Sequence, residues 1–386
     1  MLKKAVFLLM TVLLLSLTAC NLEKIEVDFD DLITESNESS SESIYESSSE
    51  SSLEGETPSS EESSSESTSH EKPDVPANEQ GGGMYGSTVM ILNDGRAFHL
   101  YSGGYEEGRK YAEALNQLKT LVGDNVNVFS MVVPTEVSFY LPEKFAEFSG
   151  SEWDNIEYIN ENFDGIIPVD AYTALSRHVD EDIYFRTDFH WQQLGAYYAA
   201  EEFAKTALTE FAPLSDYEKA EIDGYVGTMY GMSGEDPRVR DNPDTLTYYK
   251  PKNKYSVEHY MHDLENEGYY SDADMDGLFL KSLDDIEGKY WYWLFLGGGV
   301  DAYHIKTDVG NGRKLLLVKD SFGDPLLPCL TSSFEEIWAI TLPLFKKSIS
   351  QFVNDNGMTD VLFCIDSFKA VGKEAGYELD KLFNIL

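Results

Sequence analysis

The chain has 386 residues, a hydrophobic content of 42% and a formal net charge of −40. A surface this acidic repels phosphate backbones and anionic lipid headgroups, which excludes nucleic acid as a partner and favours neutral or cationic ones.

The first twenty residues, MLKKAVFLLMTVLLLSLTAC, have two lysines, an apolar run and a small-residue end. That is the plan of a secretory signal, and the run is too short for a comfortable membrane span. Leu17-Thr18-Ala19-Cys20 resembles a bacterial lipobox. Cleavage before Cys20 and lipidation of its thiol would leave the mature chain anchored outside the cytoplasm. The alternative is a plain signal peptide with an incidental cysteine. Residues 21–83 are dominated by Ser and Glu, with 18 acids and two lysines. Such a segment buries too little apolar surface to offset the entropy of ordering, so it is predicted to be a disordered tether. About 60 flexible residues span on the order of 40 Å, and self-repulsion extends them further. The glycines at 81–83 read as its last hinge.

Residues 84–386, about 300 residues, suit one large α/β domain or two small ones. STVMILNDGRAFHLY (87–101) predicts a hairpin around Asn93-Asp94-Gly95. A helix over 104–123 should end at Gly123. NVNVFSMVV (125–133) reads as a buried strand stopped by Pro134. SEWDNIEYINENF is predicted helical, GIIPVD a short strand, and 194–211 an amphipathic helix. Residues 212–300, rich in Tyr, Asp and Gly, are predicted to form an irregular insertion, packed or serving as a sugar-binding wall. A strand at 314–318, a sharp turn and a helix follow. EIWAITL is a strand, KKSISQFVNDNG a helix closed by Gly357, and TDVLFCID a last strand. This alternation implies a mostly parallel sheet with helices on both faces. Cys329 and Cys364 sit in apolar runs, either as buried thiols or as a disulfide pair.

The turn after the strand at 314–318 carries the chemistry. In LLLVKDSFGDP, Ser321 follows an apolar strand, where open α/β sheets place their sites. A helix starting near Asp324–Pro325 would aim its free N–H groups, Gly323 among the donors, back at the serine and hold a developing oxyanion. Serine needs a base within reach, and the base needs an orienting group. TDFHW supplies both. Asp188 and His190, at i and i+2, fall on one side of an extended segment, and Trp191 would wall the site. The plainer readings are that Asp188 caps the following helix and His190 is a satisfied core histidine. DADMDG, with Asp272, Asp274, Asp276 and Gly277, matches the front of a calcium loop. Its twelfth position is Leu283 instead of the bidentate Glu, so a solvated acidic loop is the better reading. The GGYEEG near 103 lacks the Lys-Ser/Thr of a phosphate-binding loop. No cofactor is implied.

TDFHW, the helix after it and LLLVKDSFGDPLLPCL together resemble the DHHW family, named for an Asp-His-His-Trp signature. That family is similar to the SGNH-hydrolase-like proteins that O-acetylate alginate and related exopolysaccharides. The resemblance covers most of residues 84–386. It implies a flavodoxin-like three-layer α/β/α sandwich and an Asp188, His190, Ser321 triad. The first signature histidine is Phe189 here. FLGGGVDAY (295–303) stands where relatives have Gly-Gly-Asn-His. There a Gly and an Asn complete the oxyanion hole, so Gly298 and Gly299 are its candidate positions. With Gly299 in place of the Asn, one donor is missing, a loss that typically costs about a hundredfold to a thousandfold in rate. The expected function is a lipid-anchored serine esterase or O-acyltransferase on a surface or extracellular polysaccharide. By resemblance, a membrane-bound acyltransferase would supply the acyl group. The competing readings are a non-catalytic glycan-binding or scaffold lipoprotein, favoured by Gly299 and the Tyr-rich middle, and a two-lobed solute-binding lipoprotein.

Overall fold

The computed structural model of the protein describes residues 71–372 except 262, 263, 265, 268–273, 299 and 343. Cys20 and most of the expected tether lie outside the described residues. Strands β1 (Gly82–Tyr85), β2 (Val89–Leu92) and β3 (Ala97–His99) form a small antiparallel sheet. The expected hairpin is β2–β3. Two of the three glycines expected to be a hinge are instead part of β1, with Gly82 opposite Leu92 and Gly83 opposite Ile91. A backbone ladder needs no side chain, so glycine content did not reveal this pairing.

Eight strands build the central sheet in the order β5-β4-β15-β13-β14-β12-β8-β9. They are β4 (Asn127–Val133), β5 (Ile167–Pro168), β8 (Tyr255–Met261), β9 (Asn266–Glu267), β12 (Ala302–Thr307), β13 (Lys314–Lys319), β14 (Glu336–Thr341) and β15 (Asp360–Asp366). β5, β4, β15, β13 and β14 are mutually parallel, and β12, β8 and β9 continue the sheet antiparallel. β4, β13 and β15 bury nearly every residue. Continuous apolar runs of this kind belong to parallel strands covered on both faces.

The two coverings can be read from one strand. Phe129 and Ser130 are consecutive in β4 and so point to opposite faces. Ser130 Oγ is hydrogen-bonded to Tyr111 of α1 (Tyr105–Val122) at 3.0 Å. The Phe129 ring meets Phe203 of α4 (Gln193–Ala207) edge-on, with centroids 5.2 Å apart. α2 (Glu152–Glu161) and α6 (Ile349–Asn356) pack with α1, whereas α3 (Ala171–Ser176) and α5 (Gly323–Cys329) pack with α4. The architecture is the expected α/β/α sandwich, and its single central sheet does not match a two-lobed solute-binding protein.

Residues 212–300 are more regular than expected. β6 (Tyr217–Tyr225) and β7 (Asp244–Pro251) form an antiparallel pair, and β8 belongs to the main sheet. In β8, Tyr255, Val257 and His259 are more buried while Ser256 and Glu258 are exposed. This edge alternation lacks the apolar run by which a buried strand is recognised. The acidic calcium-loop pattern becomes a hairpin of β10 (Met275–Asp276) and β11 (Phe279–Leu280). Asp276 is paired with Lys250 at 2.6 Å, Asp274 accepts the Lys281 N–H through its carbonyl, and Asp272 lies outside the described residues. Cys329 and Cys364 are free, buried thiols, not a disulfide. Burial pushes the Cys329 thiol up to about 12. Among the described residues no helix is long and apolar enough to cross a membrane.

Candidate active site

The site lies beyond the C-terminal ends of the parallel strands. Ser321 sits two residues past β13, exposed at the rim. The segment 183–192 folds back on itself, with Phe185 N–H donating to His190 O at 3.3 Å and Gln192 N–H to Ile183 O at 2.9 Å. Asp244, at the start of β7, holds this loop by accepting the N–H groups of Arg186 and Thr187. Trp191 is fully buried, and its indole N–H donates to Phe322 O at 2.9 Å. It therefore bolts the loop that carries His190 to the serine turn, as a buried part of the site's wall.

His190 Nε2 lies 2.8 Å from Ser321 Oγ, and His190 Nδ1 lies 2.6 Å from Asp188 Oδ1. Two segments 131 residues apart are thus joined in one hydrogen-bonded line. Asp188 and His190 do not lie on an extended strand. Asp188 Oδ1 also accepts the His190 backbone N–H at 3.0 Å, the local turn that Asp favours. Nor does Asp188 cap a helix, since α4 begins at Gln193 with Gln192 at its cap. The other carboxylate oxygen, Oδ2, accepts Tyr225 OH, Thr228 N–H and Thr228 Oγ1–H, each at 2.9 Å. A Cβ at residue 227 would fall 2.4 Å from Asp188 Cβ, so only glycine lets this loop approach. Burial alone would raise the Asp188 carboxyl, but attraction to His190 and these donors outweigh it and hold the group below the ordinary carboxylate range. The arrangement can move a proton from the exposed hydroxyl onto a buried imidazole whose far side rests on a charged carboxylate.

The serine turn has its own scaffold. Lys319, fully buried at the end of β13, pairs with Asp324 and donates to Thr341 Oγ1 at 3.1 Å. A Cβ on Gly323 would lie 2.5 Å from Lys319 Cβ, so Gly323 makes room for this pair. Asp320 accepts Phe322 N–H at 2.9 Å and Asp366 N–H at 2.8 Å, tying the turn to the end of β15. The N–H groups expected to point at an oxyanion are committed within the turn. Phe322 donates to Asp320 Oδ1, Gly323 to Asp320 O at 3.2 Å, and Asp324 to Ser321 O at 3.2 Å. The Ser321 N–H makes no hydrogen bond among the described residues. Gly298 adopts φ 81 and donates to Phe295 O at 3.4 Å, and Gly299 lies outside the described residues.

Sequence reasoning misses Tyr225, Thr228 and Lys319, and reads Asp320 and Asp324 only as markers of the strand end and the helix start. For Lys319, Asp320 and Asp324 a signal exists, namely three charges at and just beyond the end of an apolar strand. Tyr225 and Thr228 carry none.

Four carboxyls near these loops, three buried and Asp366 half-buried, are expected to give the fold a pH dependence. Burial raises Glu136, Glu152, Asp324 and Asp366, the last also through Asp320 beside it. Above the ordinary carboxylate range and up to these raised values, the folded chain binds more protons than the unfolded one, so stability falls as pH rises through that window. The lowered Asp188 acts in the opposite sense only as pH falls below the ordinary carboxylate range. Urea unfolding is expected to require more denaturant at pH 5.5 than at pH 7.5, and the reverse order would contradict the assignment.

The family description "DHHW protein" matches residues 17–340. A DHHW family protein from Eubacterium siraeum is 38% identical, covers 77% of this chain and 96% of its own, and superposes with a TM-score of 0.72. Bacillus cereus PatB1, solved with a sulfonyl adduct, is 18% identical with a TM-score of 0.59, covering 79% of this chain and 99% of its own. The O-acetyltransferase domain of Pseudomonas putida AlgJ is 12% identical with a TM-score of 0.41, covering 78% and 99%. No curated protein matches the sequence. The chain belongs to the DHHW family.

Proposed function

We propose that the protein is a serine-dependent O-acyltransferase or esterase that acts on a surface or extracellular polysaccharide. The observation that carries this reading is the line from Asp188 through His190 to an exposed Ser321 hydroxyl. In the first half-reaction Ser321 Oγ attacks the acyl carbonyl carbon while His190 Nε2 takes the hydroxyl proton. The tetrahedral intermediate then expels the donor alcohol, which receives that proton from His190. In the second half-reaction a sugar hydroxyl or water loses its proton to His190 and attacks the acyl carbon, and the intermediate then breaks its bond to Ser321 Oγ, which takes the proton back from His190. The Ser321 N–H, unpaired among the described residues, would be the backbone donor to the intermediate's oxygen. Asp188 keeps Nδ1 protonated and Nε2 available as the base.

The acidic surface fits a neutral acceptor. The Cys20 lipobox and the tether would hold the domain outside the membrane, within reach of a membrane-bound acyl donor. The sulfonyl adduct of PatB1 suggests the direct test, which is treatment of this protein with a serine-reactive phosphonate or sulfonyl fluoride and mapping of the modified peptide. Labelling at Ser321, abolished in Ser321→Ala, is the expected result. The commitment of the Phe322, Gly323 and Asp324 N–H groups favours a second reading, in which the shell binds glycan without turnover. Glycan binding with no label on Ser321 would decide for it.

A further inference from the structure

The 3₁₀ turn Gly288–Leu294, GKYWYWL, holds four consecutive aromatic residues and takes no part in the chemistry above. At three residues per turn its side chains fan out in three directions, and two of them reach the catalytic line. The Tyr292 ring lies flat on the His190 imidazole, with centroids 4.0 Å apart and an interplanar angle of 14°. Its hydroxyl donates to Ser321 O at 3.0 Å. Trp291 lies parallel to Tyr225, at 6.4 Å and 15°, and Tyr225 is the residue that donates to Asp188 Oδ2. Phe189 covers the imidazole as well, with centroids 4.1 Å apart and a tilt of 31°.

We infer that Tyr292 is a positioning residue that sets the plane of the His190 ring and its register with Ser321, an inference that rests on the catalytic reading above. Hydrogen bonds fix the imidazole at two points, Nδ1 on Asp188 and Nε2 on Ser321. Once Ser321 Oγ carries an acyl group it has no proton to share, and Nε2 loses that tether. The flat contact with Tyr292 then keeps the ring aimed at the incoming hydroxyl. The bond from Tyr292 OH to Ser321 O ties the same aromatic ring to the serine turn, so base and nucleophile are held by one side chain. The stack supplies the orientation and the hydroxyl refines the register.

Two substitutions separate the parts. Tyr292→Phe keeps the stack and loses the hydrogen bond, whereas Tyr292→Leu loses both. With the full-length protein and an aryl acetate, Tyr292→Leu is expected to lower kcat about tenfold to a hundredfold, the scale of a misaligned reacting group. KM should stay within about twofold, and Tyr292→Phe within about threefold of wild type in kcat. Independently of turnover, the His190 Nδ1 proton should give a slowly exchanging low-field NMR signal in wild type and Tyr292→Phe. It should be lost to exchange in a folded Tyr292→Leu protein. A Tyr292→Leu protein with wild-type kcat and an intact signal overturns the inference. So does a Tyr292→Phe protein that loses kcat and the signal together, which keeps the test decisive if the leucine variant fails to fold. If wild type and Ser321→Ala turn over the ester equally, the catalytic reading falls, while the ring-proton comparison still decides the role of Tyr292.

Discussion

Asp188→Asn is expected to reduce kcat about ten-thousandfold with little change in KM, the scale seen when the orienting carboxylate of a serine–histidine pair becomes an amide. The Asp188 carboxylate is an acceptor on every side, taking the His190 N–H, His190 Nδ1, Tyr225 OH and both donors of Thr228. An amide offers one oxygen, and its NH2 must face one of these donor sets. Placed toward His190, it makes Nδ1 the acceptor and moves the proton to Nε2, where the imidazole no longer accepts from Ser321. Placed toward Tyr225 and Thr228, it leaves buried donors unpaired at about 1–3 kcal/mol. Aryl acetate kinetics and urea unfolding together separate the two. Turnover within tenfold of wild type would contradict the role assigned to Asp188.

Lys319→Met is expected to destabilise the fold by about 3–5 kcal/mol, the cost of leaving one member of a buried ion pair alone. Lys319 and Asp324 are both shielded from solvent, and the Lys319 ammonium also serves Thr341 Oγ1. Burial already raises the Asp324 carboxyl, with Lys319 as the chief opposing influence. Without the ammonium, Asp324 must take up a proton or stay charged where it is largely shielded from solvent. Because Asp324 lies in the first turn of α5 and donates its N–H to Ser321 O, loss of the pair should loosen the serine turn as well as the fold. Replacing both partners, Lys319→Met with Asp324→Leu, should recover most of the stability, since buried pairs exchange for apolar residues at little cost. A single variant within about 1 kcal/mol of wild type by urea midpoint would rule out this role for the pair.

The parts of the fold that were legible are those whose physics is local. β4, β13 and β15 announce themselves as apolar runs because both faces are covered. α1 and α6 announce themselves by apolar spacing and the glycines that close them, Gly123 and Gly357. Asp188, His190 and Ser321 stood out because each pairs a reactive side chain with an informative neighbour, a tryptophan in one case and a strand end in the other. What stayed hidden depends on distant partners. Tyr225 and Thr228 reach Asp188 from 37 and 40 residues along the chain, and Tyr292 reaches Ser321 from 29 residues before it. Glu152 looks like any acid in a helical first turn. Only the folded chain surrounds it with Thr135, Ser138 and Ser367. The oxyanion donors were misjudged for a related reason. A helix N-terminus was expected to offer free N–H groups, but Asp320 turns inward and consumes one of them.

On the proposed mechanism His190 draws a proton from Ser321 to make it a nucleophile. The most direct measurement is aryl acetate turnover by the purified protein beside its Ser321→Ala and His190→Ala variants. The expected result is turnover by wild type alone, with both variants at the uncatalysed background. Equal rates for wild type and Ser321→Ala would contradict the claim.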